Sequence, residues 1–432
     1  MAKSKEKMEA LVPVEEQPYP VPENWRWVRL IDNCADCLDS FRKPINATER
    51  AERYGNIPYY GATGQVGWIN DYLTNEELVL LGEDGAPFLD RNKEKAYMIS
   101  GKAWVNNHAH ILRSKYGHYG NILLMHYLNT FNYNGYVNGS TRLKLTQASM
   151  QLIPVPIPPI NEQKRIFDRI ESLFAKLDEA KEKAQAVVDG YENRKAAILH
   201  KAFTGELTEK WRDEHSIGRS SWKKTLVGDV CTDIKVGIVI KPSQYYAEKK
   251  TGTPAFRSAN VREFYVEDND WVYLNDEGMQ QNKRSIVNTG DVLIVRSGNP
   301  GTACVVDEKY DGYNAIDILI AVPDTESVTS DYLCAYTNSP IGRNLVSVNK
   351  RGMALAHFNV SGYSKLEIEV PTIEEQQEIT KNLFRLLEKE EEANKLAKVL
   401  IVKIDAMKKS ILAKAFRGEL GTNDPSEEPV AL

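Results

Sequence analysis

The sequence predicts an α+β protein in which two strand-rich globular domains alternate with two long α-helices. Three observations support this. The heptapeptide KAFTGEL at 201–207 returns as KAFRGEL at 414–420, and apolar residues recur every three or four positions ahead of each copy. The remaining sequence consists of short β-branched and aromatic runs cut by Gly, Asn and Pro, which is typical of sheets with turns. Such internal repetition indicates two copies of one structural unit.

Length and composition agree with a folded protein of several domains. The chain has 432 residues, of which 42% are hydrophobic, and a formal net charge of −5. It contains no apolar run of the roughly 18 residues that a membrane-spanning helix requires, and its first residues do not resemble a secretion signal. Five scattered cysteines, including the lone pair Cys34 and Cys37, fit a reducing compartment. We therefore expect a cytoplasmic protein with no membrane contact, and two buried strand cysteines rather than half of a zinc site.

An N-terminal tail at 1–19 precedes the first predicted domain, 20–157. The segment WRWVRLIDNC, beginning at Trp25, predicts its first strand. The runs IPYYGATGQVGWIND and ELVLLGEDGAPF predict further strands, and NILLMHYLNTF predicts a helix packed on them. We expect a mixed β-sheet with a few helices.

The first long helix is predicted at 158–207. Shifting the chain by 213 positions aligns this segment with 371–420, and 19 of the 50 aligned residues are identical. Prolines at its start and Gly205 at its end predict the limits of a helix of about 42 residues, roughly 63 Å long. Both copies carry a heptad stripe, which predicts that the two helices pair with each other. The seam is predicted to contain Ile166, Ile170, Leu173 and Leu177 in the first copy and Ile379, Leu383, Leu386 and Leu400 in the second.

The repeat continues in the second half of the chain. A linker at 208–219 leads to a second domain at 220–370, whose first strand is predicted in WKKTLVGDVC from Trp222. The second long helix follows at 371–420, where Thr372 and Glu375 have the spacing of a capping box and Gly418 marks the end. A disordered tail is expected at 421–432. Arg194 and Glu390 are polar residues within the two seams, where such groups can fix the register.

This arrangement resembles the specificity subunit of type I restriction-modification systems. The resemblance lies in P-x-x-EQ-x-x-I opening each long helix, KAF-x-GEL closing it, and phrases such as PYYGATGQVG, GEDGAPF, FRSANVR and GDVLIVRSGNPG within the domains. It implies two target recognition domains at opposite ends of an antiparallel coiled coil, each reading one half of a split site in double-stranded DNA. It also implies two modification subunits, which bind S-adenosylmethionine and methylate adenine. Restriction/translocase subunits that use ATP and Mg²⁺ would join them.

No catalytic motif is found in the chain itself. An adenine methyltransferase would need an Asn/Asp-Pro-Pro-aromatic loop, and NPG at 299–301 lacks its second proline and its aromatic residue. The phosphate-binding loop of a translocating ATPase is absent, as are the helix of a zinc protease and a nucleophile elbow. His108 and His110 could face one side of a strand, but no ligand set surrounds them in sequence, so we expect neither a metal nor a cofactor. The chain is predicted to be a non-catalytic subunit.

DNA-binding residues are predicted on polar loops that carry donors for base edges and phosphates. Charge gives little help, because 23–157 contains 14 Lys/Arg and 13 Asp/Glu, and 220–370 contains 16 and 19. In the first domain the candidates are Tyr59, Tyr60, Thr63, Arg91, Asn92, Lys93, Asn107, His108, Ser140 and Arg142. In the second they are Arg257, Ser258, Asn260, Arg262, Arg296, Ser297, Asn299, Lys350, Arg351 and His357.

Three other interpretations of the sequence stay open. The globular domains could bind proteins, which would make the chain a coiled-coil interaction scaffold; binding to duplex DNA together with a modification subunit distinguishes this case. The chain could also be a fused enzyme, or the specificity subunit of a related methyltransferase or nuclease complex outside type I. Methyl transfer by the isolated chain would identify a fused enzyme.

Overall fold

The computed structural model describes residues 11–350 and 359–432. The chain forms two compact units, the first containing residues up to 184 together with 399–432, and the second containing 185–398. Each unit consists of one strand-rich domain and part of both long helices. Among the described residues no helix is both long enough and apolar enough to cross a membrane.

The first domain is built from three antiparallel or mixed sheets with short helices. Its elements are β1 Arg26–Arg29, β2 Ala35–Cys37, α1 Ala47–Glu52, β3 Ile57–Gly61, β4 Gly64–Ile69, β5 Thr74–Asn75, β6 Leu78–Gly82, β7 Ala96–Ile99, β8 Lys102–Val105, β9 Ala109–Ser114, α2 Gly117–Thr130, α3 Gln147–Gln151 and β10 Pro154–Ile157. The sheets have the orders β2-β9-β6-β7, β4-β3-β8-β5 and β1-β10. Only β3 and β8 run parallel, which confirms the predicted mixed sheet.

Strand β6 lies at the centre of this domain, and all five of its residues are buried. Val79 and Leu81 belong to the core cluster that includes Leu124 of α2. Leu78 and Leu80 point the opposite way and pack in a separate cluster with Val105 of β8. Successive side chains of a strand point to opposite faces, and both faces of β6 are covered by core residues. The strand is therefore apolar throughout and lies between two layers of core.

The first long helical element follows the first domain. This element comprises α4 Ile160–Asp189 and α5 Tyr191–Thr204, and the short helix α6, Glu209–Glu214, comes after it. The break falls at Gly190, yet Gly190 N–H still bonds to Ala186 O (3.0 Å) and Arg194 N–H to Gly190 O (3.0 Å). A Cβ at residue 190 would lie 2.4 Å from the Arg194 guanidinium, so the glycine makes room for that side chain. Gly205 ends the element with a φ of +86°, as predicted.

The second domain repeats the plan of the first. Its elements are β11 Lys223–Leu226, β12 Cys231–Val236, β13 Tyr246–Ala247, β14 Thr253–Phe256, β15 Val272–Leu274, α7 Asp276–Gln281, β16 Val292–Val295, β17 Ala303–Val305, β18 Asn314–Ala315, β19 Ile318–Pro323, α8 Ser330–Asn338, α9 Pro340–Lys350, α10 Val360–Ser364 and β20 Glu367–Val370. The sheets have the orders β12-β19-β16-β17, β13-β15-β14-β18 and β11-β20. Strand β16 takes the central place that β6 has in the first domain, which supports the predicted duplication.

The second long helix is α11, Ile373–Ala415, and it runs antiparallel to α4. In the first unit Asp178 binds Lys408 (2.5 Å) and Lys181 binds Asp405 (2.7 Å), so the partner numbers fall on α11 as they rise on α4. In the second unit Arg194 Nε lies 2.7 Å from a carboxylate oxygen of Glu390. This confirms that the two helices pair.

The predicted heptad is wrong for part of α11, because Leu400 is 42% exposed. The positions that are buried or half-buried on the seam are Ile379, Leu383, Leu386, Glu390, Asn394, Ala397, Ile401, Ile404, Lys408, Ile411 and Ala415. Ten steps join the first to the last, an average of about 3.6 residues, which is the repeat of a straight α-helix rather than the 3.5 of a heptad. The stripe therefore drifts by one residue at Asn394, and Leu400 leaves the seam. The other predicted seam residues are buried or half-buried.

The described part of the N-terminal tail and the C-terminal tail are both folded. Val12 is buried and its N–H bonds to Trp27 O (2.9 Å), so the described part of the N-terminal segment adds to β1. The segment 421–432, expected to be disordered, packs on the first domain: Val430 is buried in its core, and Arg165 binds both carboxylate oxygens of Glu427 (2.9 and 2.7 Å). These contacts join residues far apart in sequence, so no local pattern reveals them.

The glutamate of each EQ pair is fully buried and joins its domain to its helix. Glu162 accepts hydrogen bonds from the Trp25 indole N–H (2.8 Å), the Asn423 amide (2.9 Å) and the Thr422 hydroxyl (3.2 Å). We refer to this cluster as the first joint. All three donors are neutral side chains.

Glu375 forms the second joint. It accepts from the Trp222 indole N–H (3.0 Å), the Thr208 hydroxyl (2.8 Å) and the Arg212 guanidinium (2.8 Å). The predicted capping box is therefore incomplete: Glu375 N–H bonds to the Thr372 hydroxyl (3.4 Å), but the Glu375 carboxylate is engaged in the joint. The predicted linker at 208–219 is also structured, since Thr208 and Arg212 are buried in this cluster.

Replacing the joint glutamates should affect the two units unequally. Glu375→Gln leaves the buried Arg212 guanidinium without its carboxylate, and breaking such a pair costs about 3–5 kcal/mol. Glu162→Gln weakens bonds from neutral donors only, at a cost of about 1.5–3 kcal/mol. Native-state hydrogen exchange, read separately in the two units, measures both losses.

Glu374→Gln is the matched control, because Glu374 is the exposed neighbour of Glu375. We expect it to leave the exchange of both units unchanged. Equal losses from Glu375→Gln and Glu162→Gln would contradict the argument that Arg212 makes the second joint the more charge-dependent one.

Candidate DNA interface

The turn after β6 organises the candidate loops of the first domain. The turn consists of Glu83, Asp84 and Gly85, and its backbone bonds reach two other loops: Glu83 N–H to His108 O (2.7 Å) and Gly85 N–H to Leu143 O (3.1 Å). Gly85 has a φ of +72°, and a Cβ there would lie 3.2 Å from Arg142 Nε. The turn thus holds the predicted clusters around His108 and Arg142 on either side of itself.

Asp84 contacts two of the basic candidates, His108 and Arg142, directly. One carboxylate oxygen lies 2.6 Å from His108 Nδ1 and 2.9 Å from Arg142 Nη2. The Arg142 side chain is 62% exposed, and Asn107 and Ser140 beside these residues are also exposed. The structure therefore brings together four of the ten candidates predicted for this domain.

Glu83 lies beneath this surface in a network of charges. It pairs with Arg42 and with Lys144 Nζ (3.0 Å). Arg42 also pairs with Asp39 (2.9 Å), whose second contact is His110 Nδ1 (2.7 Å). Burial opposes ionisation of both carboxyls, but hydrogen bonds from His110 to Asp39 and from Arg42 to Glu83 outweigh it, so the pKa of each lies below its ordinary value. Both acids are anions that orient the cations around them.

Asp39, Glu83 and His110 are close enough to be considered as metal ligands, because one donor atom of each lies within 4.8 Å of the others. However, the Arg42 guanidinium contacts both carboxylates, and His110 Nε2 lies 2.9 Å from Leu145 O. A metal would have to displace a cation that is already in place. We assign these residues to a salt-bridge network that supports the turn.

The other candidates in this domain lie elsewhere. Tyr59 is buried, with its hydroxyl near Ile45 O (3.5 Å), and Tyr60 packs on Tyr97 with ring centroids 5.9 Å apart. Thr63 is exposed at the β3–β4 turn. The exposed residues Arg91, Asn92 and Lys93 lie beside α11, where Asn92 binds Lys409.

In the second domain, the loop after β14 is held from inside. Asn260 is fully buried; its carbonyl oxygen accepts from Arg257 N–H (3.0 Å) and its amide donates to Asn269 O (2.8 Å). Arg257 Nη2 lies 3.0 Å from a carboxylate oxygen of Asp270. Ser258 and Arg262 are partly exposed, and Arg262 donates to Ser258 O (3.4 Å). Asn260 therefore shapes the loop, whereas its neighbours lie at the surface.

A second loop follows β16 and contains Arg296, Ser297 and Asn299. Arg296 Nη1 lies 2.6 Å from an Asp317 carboxylate oxygen, and Asn299 is exposed. Ile316 N–H bonds to Phe256 O (2.8 Å), so the last residue of β14 lies beside the start of β19. The two loops therefore share one end of the domain. Lys350 is the last residue of α9, and the predicted candidates Arg351 and His357 lie outside the described residues.

The acidic partners were missed by the sequence analysis, although they contact four of the basic candidates. Asp84, Asp270 and Asp317 each contact a predicted arginine. Sequence reasoning searched loops for donors to DNA and therefore passed over carboxylates. The nearly equal numbers of acidic and basic residues were the available signal, since a binding surface in such a domain must carry paired charges.

The comparisons with known proteins agree with this architecture. Residues 22–188 and 219–400 match the family described as type I restriction modification DNA specificity domain, one copy for each half of the chain. The two matches cover most of the sequence. The chain therefore belongs to this family.

Several relatives resemble the chain along much of its length. It is 28% identical over 301 residues to the type I restriction enzyme EcoKI specificity subunit of Escherichia coli strain K12, covering 67% of this chain and 63% of that protein, less than two thirds. It is 21% identical over 435 residues to the EcoDI specificity subunit of Escherichia coli, covering 95% and 91%. The crystal structure of the HsdS subunit from Thermoanaerobacter tengcongensis has the same fold, with a TM-score of 0.64 at 17% identity over 93% of this chain and 99% of that one.

The network beneath the turn should make the first unit sensitive to acid. A carboxyl whose pKa is lowered by folding contributes stability above its unfolded pKa, near 4, and loses it as the pH falls through the lower folded value. We expect the wild type to keep its stability from neutral pH to about pH 5 and to lose it below about pH 4. Asp39→Asn should lower stability at pH 7 by about 1–3 kcal/mol and flatten this acid dependence.

Urea unfolding at several pH values, followed in the first unit by hydrogen exchange, measures both effects. Asp36→Asn is the control, because Asp36 forms an exposed pair with Arg113 in the same domain. An Asp39→Asn protein that still loses stability as steeply as the wild type below pH 4 would contradict the assignment.

Proposed function

We propose that this chain is the DNA sequence-specificity subunit of a type I restriction-modification complex. The observation that carries the proposal is the double match to the DNA specificity family, which covers both globular domains. Each domain reads one half of a bipartite site in double-stranded DNA. The loops around Asp84 in the first domain and around Arg296 in the second supply the donors and acceptors that base edges and phosphates require. Because its ligand is duplex DNA, the complex acts in the cytoplasm.

The chain contributes recognition and leaves catalysis to its partners. The missing methyltransferase and ATPase motifs support this division. Two modification subunits bind S-adenosylmethionine and methylate adenine, and restriction subunits use ATP and Mg²⁺. The purified chain should therefore transfer no methyl group and hydrolyse no ATP.

The long helices form the docking surface for the modification subunits. Apart from its seam, α11 exposes the apolar side chains Val399, Leu400, Val402 and Met407 in the first unit. Leu400 and Met407 are seven residues apart, so they lie on the same face of the helix. Half-exposed apolar residues arranged in this way are typical of a surface that another protein covers.

Co-expression with modification subunits tests the recognition function. The complex should methylate a bipartite sequence, which long-read sequencing of the modified DNA identifies. Exchanging residues 20–157 for the matching domain of a relative should change one half of that sequence and leave the other half unchanged. Absence of any sequence-specific methylation, or a change in both halves, would contradict the proposal.

The docking face is tested by the double variant Leu400→Asp and Met407→Asp. We expect normal helix content by circular dichroism but loss of co-purification with the modification subunit. Ala413→Asp is the control, because residue 413 is exposed about a third of a turn away around the same helix. Normal assembly of the double variant would exclude this face.

The seam variant Leu173→Asp with Leu386→Asp provides a second comparison, since both residues lie between the helices. It should lose helix content and assembly together.

If the wild-type chain retained a protein partner but bound no DNA, that result would instead favour the interaction-scaffold alternative.

A further inference from the structure

One charge pair stands at the end of the central ladder of the second domain. The last paired residues of β16 and β19 are Val295 and Ile318. The next residues are Arg296 and Asp317, and Nη1 of the arginine lies 2.6 Å from a carboxylate oxygen of the aspartate. The Arg296 side chain is only 13% exposed, whereas that of Asp317 is 44% exposed. The guanidinium is thus mostly withdrawn from solvent and lies against a half-exposed carboxylate.

Asp317 has an unusual backbone conformation, with a φ of +51°. L-residues rarely adopt this left-handed region, although Asp and Asn tolerate it better than others. Backbone bonds of this residue and of the one before it fix the conformation: Asp317 N–H to Ile238 O (3.1 Å) and Ile316 N–H to Phe256 O (2.8 Å). Strained residues of this kind cluster at functional sites, because the fold must compensate for their cost.

The neighbouring loop repeats this arrangement. Arg257 follows β14 as Arg296 follows β16, and its Nη2 contacts both the carboxylate (3.0 Å) and the carbonyl oxygen (2.5 Å) of Asp270. Asp270 also has a positive φ, +50°. Two predicted DNA-binding arginines at the same end of this domain are therefore each held by an aspartate in the left-handed conformation.

The first domain has the opposite charge order at the matching position. Its central ladder ends with Gly82 paired to Ala109, and the next residues are Glu83 and His108. In the first domain the acid Glu83 follows β6 and the base His108 precedes β9. In the second domain the base Arg296 follows β16 and the acid Asp317 precedes β19. The order of charges at this position is therefore not part of the framework that the two domains share.

We propose that Asp317 is a positioning residue that holds Arg296 in the orientation in which the second domain recognises a guanine of its half-site. This inference rests on the proposed function. A guanidinium edge donates to O6 and N7 of guanine in the major groove, and this contact depends on the plane of the group. Without Asp317 the guanidinium loses the contact that sets this plane, and any contact that it then makes with a phosphate carries no sequence information.

The test uses the complete complex with its modification subunits and two substitutions. Asp317→Asn keeps the size of the side chain and its tolerance of a positive φ but removes the charge. Asp317→Gly removes the side chain and relieves the strain. Asp233→Asn is the control, because Asp233 forms an exposed, longer pair with Arg284 (3.7 Å) in the same domain.

The readout is the methylated sequence and its dependence on salt. Both Asp317 variants should lose roughly tenfold in discrimination at one G·C pair of the second half-site, while the first half-site stays unchanged. Binding to unrelated DNA should become more salt-dependent, because a released arginine adds a phosphate contact. A purely structural role would lower the melting temperature and weaken methylation at every position equally.

The outcomes separate this inference from the proposed function. If the wild-type complex has no bipartite sequence, the proposed function itself is wrong. If it has one and both Asp317 variants keep it unchanged, or lose it uniformly along with stability, the role of Asp317 is overturned. Relaxed preference at one base pair, with the control behaving like the wild type, supports it.

Discussion

A buried carboxylate beside a tryptophan indole fixes the relation between each domain and its long helix. Glu162 and Glu375 occupy equivalent places in the repeated EQ pair, and each accepts a hydrogen bond from the tryptophan just before or at the first strand. A carboxylate withdrawn from water must be satisfied on several sides. The protein meets this requirement with segments distant in sequence, and that is why 208–212 and 422–423 are ordered. Within each unit, the position of the candidate DNA-binding loops relative to the long helices therefore depends on these joints.

The domains themselves show one framework with different chemistry at its edge. Strands β6 and β16 are buried on both faces, so their composition is restricted to apolar residues. The residues that follow them are not restricted in this way, and they differ in charge. A rigid double-layered core of this kind allows the loops at its end to vary without disturbing the fold, which suits a member of a DNA specificity family.

Much of the fold could be predicted from the sequence because it is governed by local rules. Gly205 and Gly418 end their helices with a positive φ, and the strands begin where Trp25 and Trp222 predict them. The failures have physical causes. Leu400 was placed in the seam because a heptad was extended through Asn394, where the helix keeps its own repeat. The order of 421–432 depends on Arg165 and Glu162, which lie hundreds of residues away. In the candidate interface the residues around Asp84 and Arg296 lie in loops, but Asn260 and Tyr59 are buried, and the aspartates that hold the arginines carry no signature in sequence.

The position of Val430, Phe416 and Leu412 in the core of the first domain has a consequence for synthesis on the ribosome. Domains generally fold in the order in which they emerge, from the N-terminus onwards. Here the domain that emerges first lacks part of its interior until residues 412–430 have been synthesised. The second domain closes its own core with residues 199–383, which are available earlier. The apolar surface that these residues cover therefore stays exposed on the nascent first domain while more than 200 further residues are added.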